Sequence, residues 1–181
     1  MSTRELIDGG ELTGAAEGSQ PPVDPARFRH VLSHFASGVV VVTGIAGGRP
    51  AGLTCQSFTA LSLDPPMVLF CPAKTSTSWP LLAGAPYLCI NILSQGQHRL
   101  SDAFARSGAD KFAGVTWTPT PHGAPALDGA AAHIEARVAG RHDGGDHHIV
   151  ICRVESLAAT AHADPLLYYR SGYHTLHQSS R

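Results

Sequence analysis

The chain has 181 residues, with 13 lysines and arginines against 14 acidic residues and a formal net charge of -1. That length suits one domain with its own core, and the balanced charge excludes a global field for nucleic acid or an anionic membrane, so any anion site is local. Cys55, Cys71, Cys89 and Cys152 are spread without a C-x-x-C pair, which suits reduced thiols of a cytoplasmic protein and not a disulfide frame or a zinc ribbon.

Residues 1–22 carry no apolar segment of signal-peptide length and read as a flexible tail, followed by one domain over 23–177 and a short tail over 178–181. No run reaches transmembrane length. Asp24 can cap a helix that opens with Pro25, and Phe28, Val31, Leu32 and Phe35 recur at helical spacing before Gly38, predicting a helix with one face in the core. The stretch VVVVTGIAGGRPAGLTCQSFTALSL reads as strand, turn and strand, with Gly47-Gly48 at the reversal. MVLFCPA and YLCINIL are two further buried strands. Ser94 and Gln97 suggest a capping box, and Leu100 with Phe104 an apolar pair on a polar helix. In HIEARVAGRHDGGDHHIVICRVESLAA, Ile134, Ala136 and Val138 alternate with polar residues, and Asp143-Gly144-Gly145-Asp146 makes a hairpin turn. PLLYYRSGYHTL closes the chain as a last short strand. Six or so strands joined by short turns predict an antiparallel barrel or closed sheet with peripheral helices. Neither G-x-G-x-x-G nor a Walker sequence is present.

Three polar features stand out against this apolar frame. Lys74, one of only two lysines, precedes Thr75, Ser76, Thr77 and Ser78 at the expected start of a short helix. Hydroxyls, an ammonium and free N–H groups there make a phosphate cradle, or else an ordinary cap beside a solvated lysine. Thr54, Gln56 and Ser57 interrupt a strand, as ligand contacts or as its solvent face. Asn91 lies in an otherwise apolar strand and must find partners, a bound ligand among the candidates.

The segments GVVVVTG, GLTCQSFTALSLDPPMVLFCPAKTSTSW, INIL, DKFAG, GGDHHIVICRVESL and PLLYYRSGYHTL together resemble the flavin reductase component of two-component flavin-dependent monooxygenases. The resemblance runs from Phe28 to Leu176, and CQSFTALSLDPPMVLFCP looks closest to reductases serving hydroxylases of phenolic rings. It implies an FMN-binding split barrel, mainly β with peripheral helices, forming a homodimer with flavin sites near the subunit interface. It further implies that Thr54, Cys55, Gln56 and Ser57 meet the isoalloxazine ring. Lys74, Thr75, Ser76 and Ser78 would hold the flavin phosphate, and Asn91, Ile92 and Leu93 the ribityl and phosphate groups. Tyr168 would close the pocket, and His147 would act on the nicotinamide side. Many relatives carry Ser-Ser where this chain has Cys55-Gln56.

The activity so implied is reduction of FMN or FAD by NADH, with reduced flavin passed to a monooxygenase, a non-enzymatic flavin-binding protein on the same barrel being the alternative. Arg141 and Arg153 have no basic neighbour to build a 2'-phosphate site, so NADH is expected over NADPH. His142, Asp143, Asp146, His147 and His148 form the densest set of metal-ligand types, but His147 and His148 should face opposite sides of a strand, and no metal is expected. Lys111 in DKFAG reads as a substrate-loop residue or part of a structural turn, with Asp110 as a cap.

Overall fold

The computed structural model describes residues 22–108 and 110–176; nearly all of both expected tails lies outside them. The chain divides after Leu32 into two compact units. The first contains helix α1 (Pro25–Leu32). Asp24 caps it as expected, accepting from the N–H groups of Ala26 at 3.3 Å and Arg27 at 3.0 Å. The helix stops well short of Gly38, and none of its residues is buried. The expected core face is therefore corrected, with Phe28, Val31 and Leu32 all exposed. Helical spacing identifies an apolar stripe but not what covers it.

The second unit is built on a seven-stranded antiparallel sheet ordered β3-β2-β6-β9-β10-β5-β4. Its members are β2 (Val40–Ala46), β3 (Arg49–Cys55), β4 (Thr59–Leu63), β5 (Pro66–Phe70), β6 (Leu88–Ile92), β9 (Ala132–Gly144) and β10 (His147–Ala159). A three-stranded sheet joins β1 (Ser37–Gly38), β11 (Leu167–Tyr169) and β12 (Gly172–His174), and β7 (Trp117–Pro119) pairs with β8 (Pro125–Leu127). Residues 167–174 thus form a hairpin where one strand was expected, reversing at Arg170 and Ser171, both at positive φ. The two short helices are α2 (Trp79–Leu82) and α3 (His98–Ala105).

Four consecutive valines make sense because β2 is covered on both faces. Side chains alternate along a strand, so Val40 and Val42 join Leu53, Phe70, Leu88, Ile90 and Val150 in one core, while Val39 and Val41 join Leu93, Phe104, Leu127 and Leu166 in another. The capping box is only half formed. Gln97 accepts from the Ser94 N–H at 2.9 Å, but the Ser94 hydroxyl donates to Gly129, and the helix starts later, at His98.

No ladder joins the two edge strands β3 and β4. They are consecutive in the chain, which crosses between them through Gln56, Ser57 and Phe58. Ser57 stitches this crossing to the exit of β5: its hydroxyl donates to the Cys71 carbonyl at 3.0 Å and accepts from the Cys71 N–H at 3.1 Å. The unit is therefore mainly β as expected, with a seam where no ladder joins β3 to β4. The β9–β10 hairpin reaches this seam with its tip and packs on α2, where Arg141 donates to the Ala83 carbonyl at 2.6 Å and lies over Trp79. Among the described residues no helix is long and apolar enough to cross a membrane.

One buried carboxylate tests how polar groups are carried inside this sheet. Glu135 on β9 is 1% exposed and accepts from the Thr120 hydroxyl, the His122 N–H at 3.0 Å and Ser156 at 3.2 Å, with His122 Nδ1 at 2.9 Å. Burial pushes its pKa up, but these hydrogen bonds together outweigh burial and hold it below the ordinary value of 4.5. A lowered native pKa means that the carboxylate contributes full stability above the ordinary value and loses it as pH falls through the native one. Glu135→Gln should cost about 1–3 kcal/mol at neutral pH. Urea unfolding should also show a flatter acid limb for the variant below pH 4.5 than for the parent protein; parallel limbs would remove Glu135 from the acid response.

Candidate functional site

At the seam lies a cavity of about 540 Å³. Leu53 to Ser57 line it from the end of β3, and Cys71, Pro72, Ala73 and Thr75 to Ser78 from the chain leaving β5. Phe104, Ala105, Ser107 and Lys111 approach from α3 and the loop after it, and His147 from the hairpin tip. The structure therefore brings Thr54, Cys55, Gln56, Ser57, Thr75, Ser76, Ser78 and His147 together, although they come from three separated stretches of sequence.

The individual contacts show what each residue has left to offer. The Thr54 hydroxyl donates to the Ser101 carbonyl at 2.6 Å, and Gln56 is exposed. The expected helix over the Ser/Thr segment is a single turn, and the Trp79 N–H is taken by Ser76 Oγ at 3.1 Å. The cradle reading must therefore rest on hydroxyls and a cation, without a helix dipole.

That cation is not Lys74, which does not line the cavity. Its ammonium pairs with Asp143 on the hairpin, and its N–H donates to the Asp146 carbonyl at 2.9 Å. Lys74 thus fastens the hairpin tip to the loop. Lys111 is the cation in the wall. It donates to the Ser78 hydroxyl at 2.8 Å, the Phe104 carbonyl at 2.8 Å and the Gly52 carbonyl at 3.2 Å. Desolvation lowers its pKa. Among the described residues no carboxylate lies within ion-pair distance of it; Asp110, its neighbour, accepts from the Phe112 N–H at 3.2 Å, the cap expected of it. Gly52 must be bare here, since a Cβ would sit 2.4 Å from the Phe104 ring. The sequence signal for Lys111 was scarcity, because it is the second of two lysines.

Asn91, Ile92, Leu93 and Tyr168 also fall outside the wall. Asn91 is fully buried. Its Nδ2 donates to the Val41 carbonyl at 2.9 Å and Thr43 at 3.0 Å, and its Oδ1 accepts from the Leu127 N–H at 2.8 Å. The partners sought for it are supplied by the protein. Ile92 and Leu93 bond through their main chain to Ala131, Val39 and Leu166, and the Tyr168 ring packs against Tyr173 at 5.4 Å.

His147 and His148 divide as strand alternation requires. His147 is in the wall, with Nδ1 2.7 Å from Asp146 Oδ1, while His148 is outside it and donates its N–H to the Pro72 carbonyl at 3.0 Å. Asp146, held below its ordinary pKa by this hydrogen bond and the charge beside it, orients the ring and leaves Nε2 for a ligand. Among the described residues no three His, Cys, Asp or Glu side chains converge to hold a metal.

The profile of a family described as flavin reductase like domain matches residues 32–177. The reductase subunit HsaB of a flavin-dependent monooxygenase from Rhodococcus jostii is 45% identical over 163 residues, 90% of this chain and 84% of that protein. A solved structure of a nitrilotriacetate monooxygenase component B homologue from Mycobacterium thermoresistibile superposes with a TM-score of 0.83 at 42% identity, covering 88% of this chain and 91% of that one. The NADH:FAD oxidoreductase SgcE6 from Streptomyces globisporus, in complex with NAD and FAD fragments, gives a TM-score of 0.83 at 32% identity, covering 92% of this chain and all of its own.

The two lysines should separate cleanly in stability. Lys111→Met strips three acceptors of their donor and should cost about 1–3 kcal/mol in urea unfolding. Lys74→Met removes an exposed pair, which is weak and salt-screened, and should leave the midpoint nearly unchanged. Equal losses would show that the hairpin staple matters as much as the wall.

Proposed function

Because this chain belongs to the flavin reductase-like family, we propose that it is an NADH:flavin oxidoreductase whose reduced flavin serves a partner monooxygenase, with the seam cavity as the flavin site. The observation that carries this reading is the gathering of a hydroxyl row, a cation with no carboxylate paired to it among the described residues and a histidine around one cavity. About 540 Å³ falls within the roughly 300–1,000 Å³ usual for cofactor sites, and the wall mixes apolar surface (Leu53, Pro72, Phe104) with hydroxyl donors, as a flat heteroaromatic ring with a phosphate tail requires.

When bound, the flavin supplies the redox chemistry by accepting hydride from reduced nicotinamide. The chain's own residues position and exclude. Thr54, Cys55, Gln56 and Ser57 line the ring side. Thr75, Ser76 and Ser78, with Lys111 in the role first given to Lys74, hold the phosphate. His147, oriented by Asp146, offers Nε2 to the nicotinamide, a positioning role, since hydride transfer needs no protein acid or base. Asn91 acts from behind, by fixing the strands that carry the wall. Arg141, the arginine nearest the hairpin tip, is engaged on Ala83 and Trp79, which favours NADH over NADPH.

The partner we infer is an aromatic-ring hydroxylase, on the strength of the CQSFTALSLDPPMVLFCP resemblance and the HsaB likeness. We also infer a homodimer on a split barrel. Leu61 and Leu63 on the edge strand β4, and Leu157 on β10, are exposed at 46%, 94% and 71%, an apolar surface of the kind that partner subunits cover. Sedimentation should give twice the monomer mass, and a monomer would remove the dimer from this reading.

The enzyme assay is direct. Purified protein with NADH should bleach FMN or FAD absorbance anaerobically, at least tenfold faster with NADH than with NADPH; binding without bleaching would leave a flavin-binding protein only. In the same assay His147→Ala should lower kcat/KM for NADH about tenfold, the equivalent of roughly 1.4 kcal/mol, with flavin affinity unchanged within about twofold. His148→Ala should do much less, and a reversed order would take the nicotinamide away from His147.

A further inference from the structure

Of the β9–β10 hairpin only His147 lines the cavity, so whatever places the hairpin tip places that imidazole. The ladder between β10 and β5 covers Val150 to Arg153 and stops short of the tip. Beyond it the strip Pro72 to Lys74 takes over: the His148 N–H donates to the Pro72 carbonyl at 3.0 Å, Ala73 forms a bridge with His147, and the Lys74 N–H donates to the Asp146 carbonyl at 2.9 Å. The Lys74 ammonium then reaches Asp143 on the other arm. Lys74 thus grips both sides of the Gly144-Gly145 turn. The Lys74 hydrogen bond and charge hold Asp143 below its ordinary pKa, so the pair is charged at neutral pH. His148 faces Asp143 across the hairpin, and Arg141 is engaged on Ala83 and Trp79.

We propose that Lys74 and Asp143 are positioning residues for the nicotinamide step, their ion pair holding the tip where His147, oriented by Asp146, meets the donor. The inference rests on the reductase reading above and deepens it. Two other roles for the same lysine make different demands. A flavin-phosphate contact needs the ammonium in the cavity wall, which Lys74 does not enter. A purely long-range attraction for the anionic dinucleotide would make Asp143, exposed and negative, a hindrance and not a partner.

Steady-state kinetics with NADH varied at saturating flavin, and calorimetric titration with FMN and FAD, separate the three. Lys74→Met and Asp143→Asn should each raise KM for NADH about threefold, the scale of an exposed ion pair, while kcat and both flavin affinities stay within about 1.5-fold. Lys74→Arg should keep the parent KM. In a His147→Ala background Lys74→Met should add nothing, since its effect passes through the imidazole. The two substitutions change the local charge in opposite senses, so opposite shifts in KM would mean long-range attraction and overturn the proposal. Weaker flavin binding in Lys74→Met would also overturn it, returning the lysine to the phosphate, as would full additivity with His147→Ala. Urea midpoints at the parent value show that the variants fold. A parent that bleaches flavin with NADH beside variants of unchanged KM sinks this inference alone; a parent that bleaches neither flavin sinks the reductase reading with it.

Discussion

The sheet's two edge strands follow one another in the chain, and that connectivity dictates where everything else in the second unit can go. A sheet wrapped so that β3 and β4 are both edges must part between them, and the chain itself has to step across the opening at Gln56–Phe58. Backbone groups at such an edge need partners. Ser57 supplies two of them to Cys71, the hairpin tip supplies more to Pro72 and Lys74, and what remains unfilled is the cavity. The cavity is thus walled by the crossing, the exit of β5 and the hairpin tip, and part of its polar lining, Ser57 above all, already serves the main chain beside it.

Inside the sheet the same accounting runs to completion. Asn91 and Thr43 sit among apolar strands, yet each finds protein partners: Asn91 reaches β2 and β8, and the Thr43 hydroxyl lies between the carbonyls of Cys89 and Pro125, either of which can accept its proton. Glu135 is carried in the same way, by Thr120, His122 and Ser156. These groups set the register of β6 against β2 and dock the β7–β8 pair, so a polar residue in an apolar strand here marks a joint between layers.

Much of this was legible in the sequence because it is local. The valine run, the β9–β10 alternation, the Gly47-Gly48 turn and the Asp24 cap all depend on neighbours within a few positions. The segments 54–57 and 75–78 could be singled out because hydroxyls and amides there break an apolar pattern. What escaped depends on distance along the chain. Lys111 meets Ser78 and Gly52 across 33 and 59 positions, so its role could not be told from that of Lys74, which has the better local company and the lesser place. Asn91 misled for the same reason: burial without a visible partner invites a ligand, and only the fold reveals that Val41 and Leu127 stand opposite.

The thiol at the seam carries a chemical consequence. Cys55 stands in the cavity wall with its sulfur 3.1 Å from the Ser57 hydroxyl, and burial is the main cause raising its pKa; burial likewise pushes Cys89 and Cys152 up to about 12. Thiolate, not thiol, is the form that attacks peroxide. A sulfur held as thiol in the wall of this cavity is therefore kept in its less oxidisable form. A buried thiol can therefore line this cavity without offering a reactive thiolate.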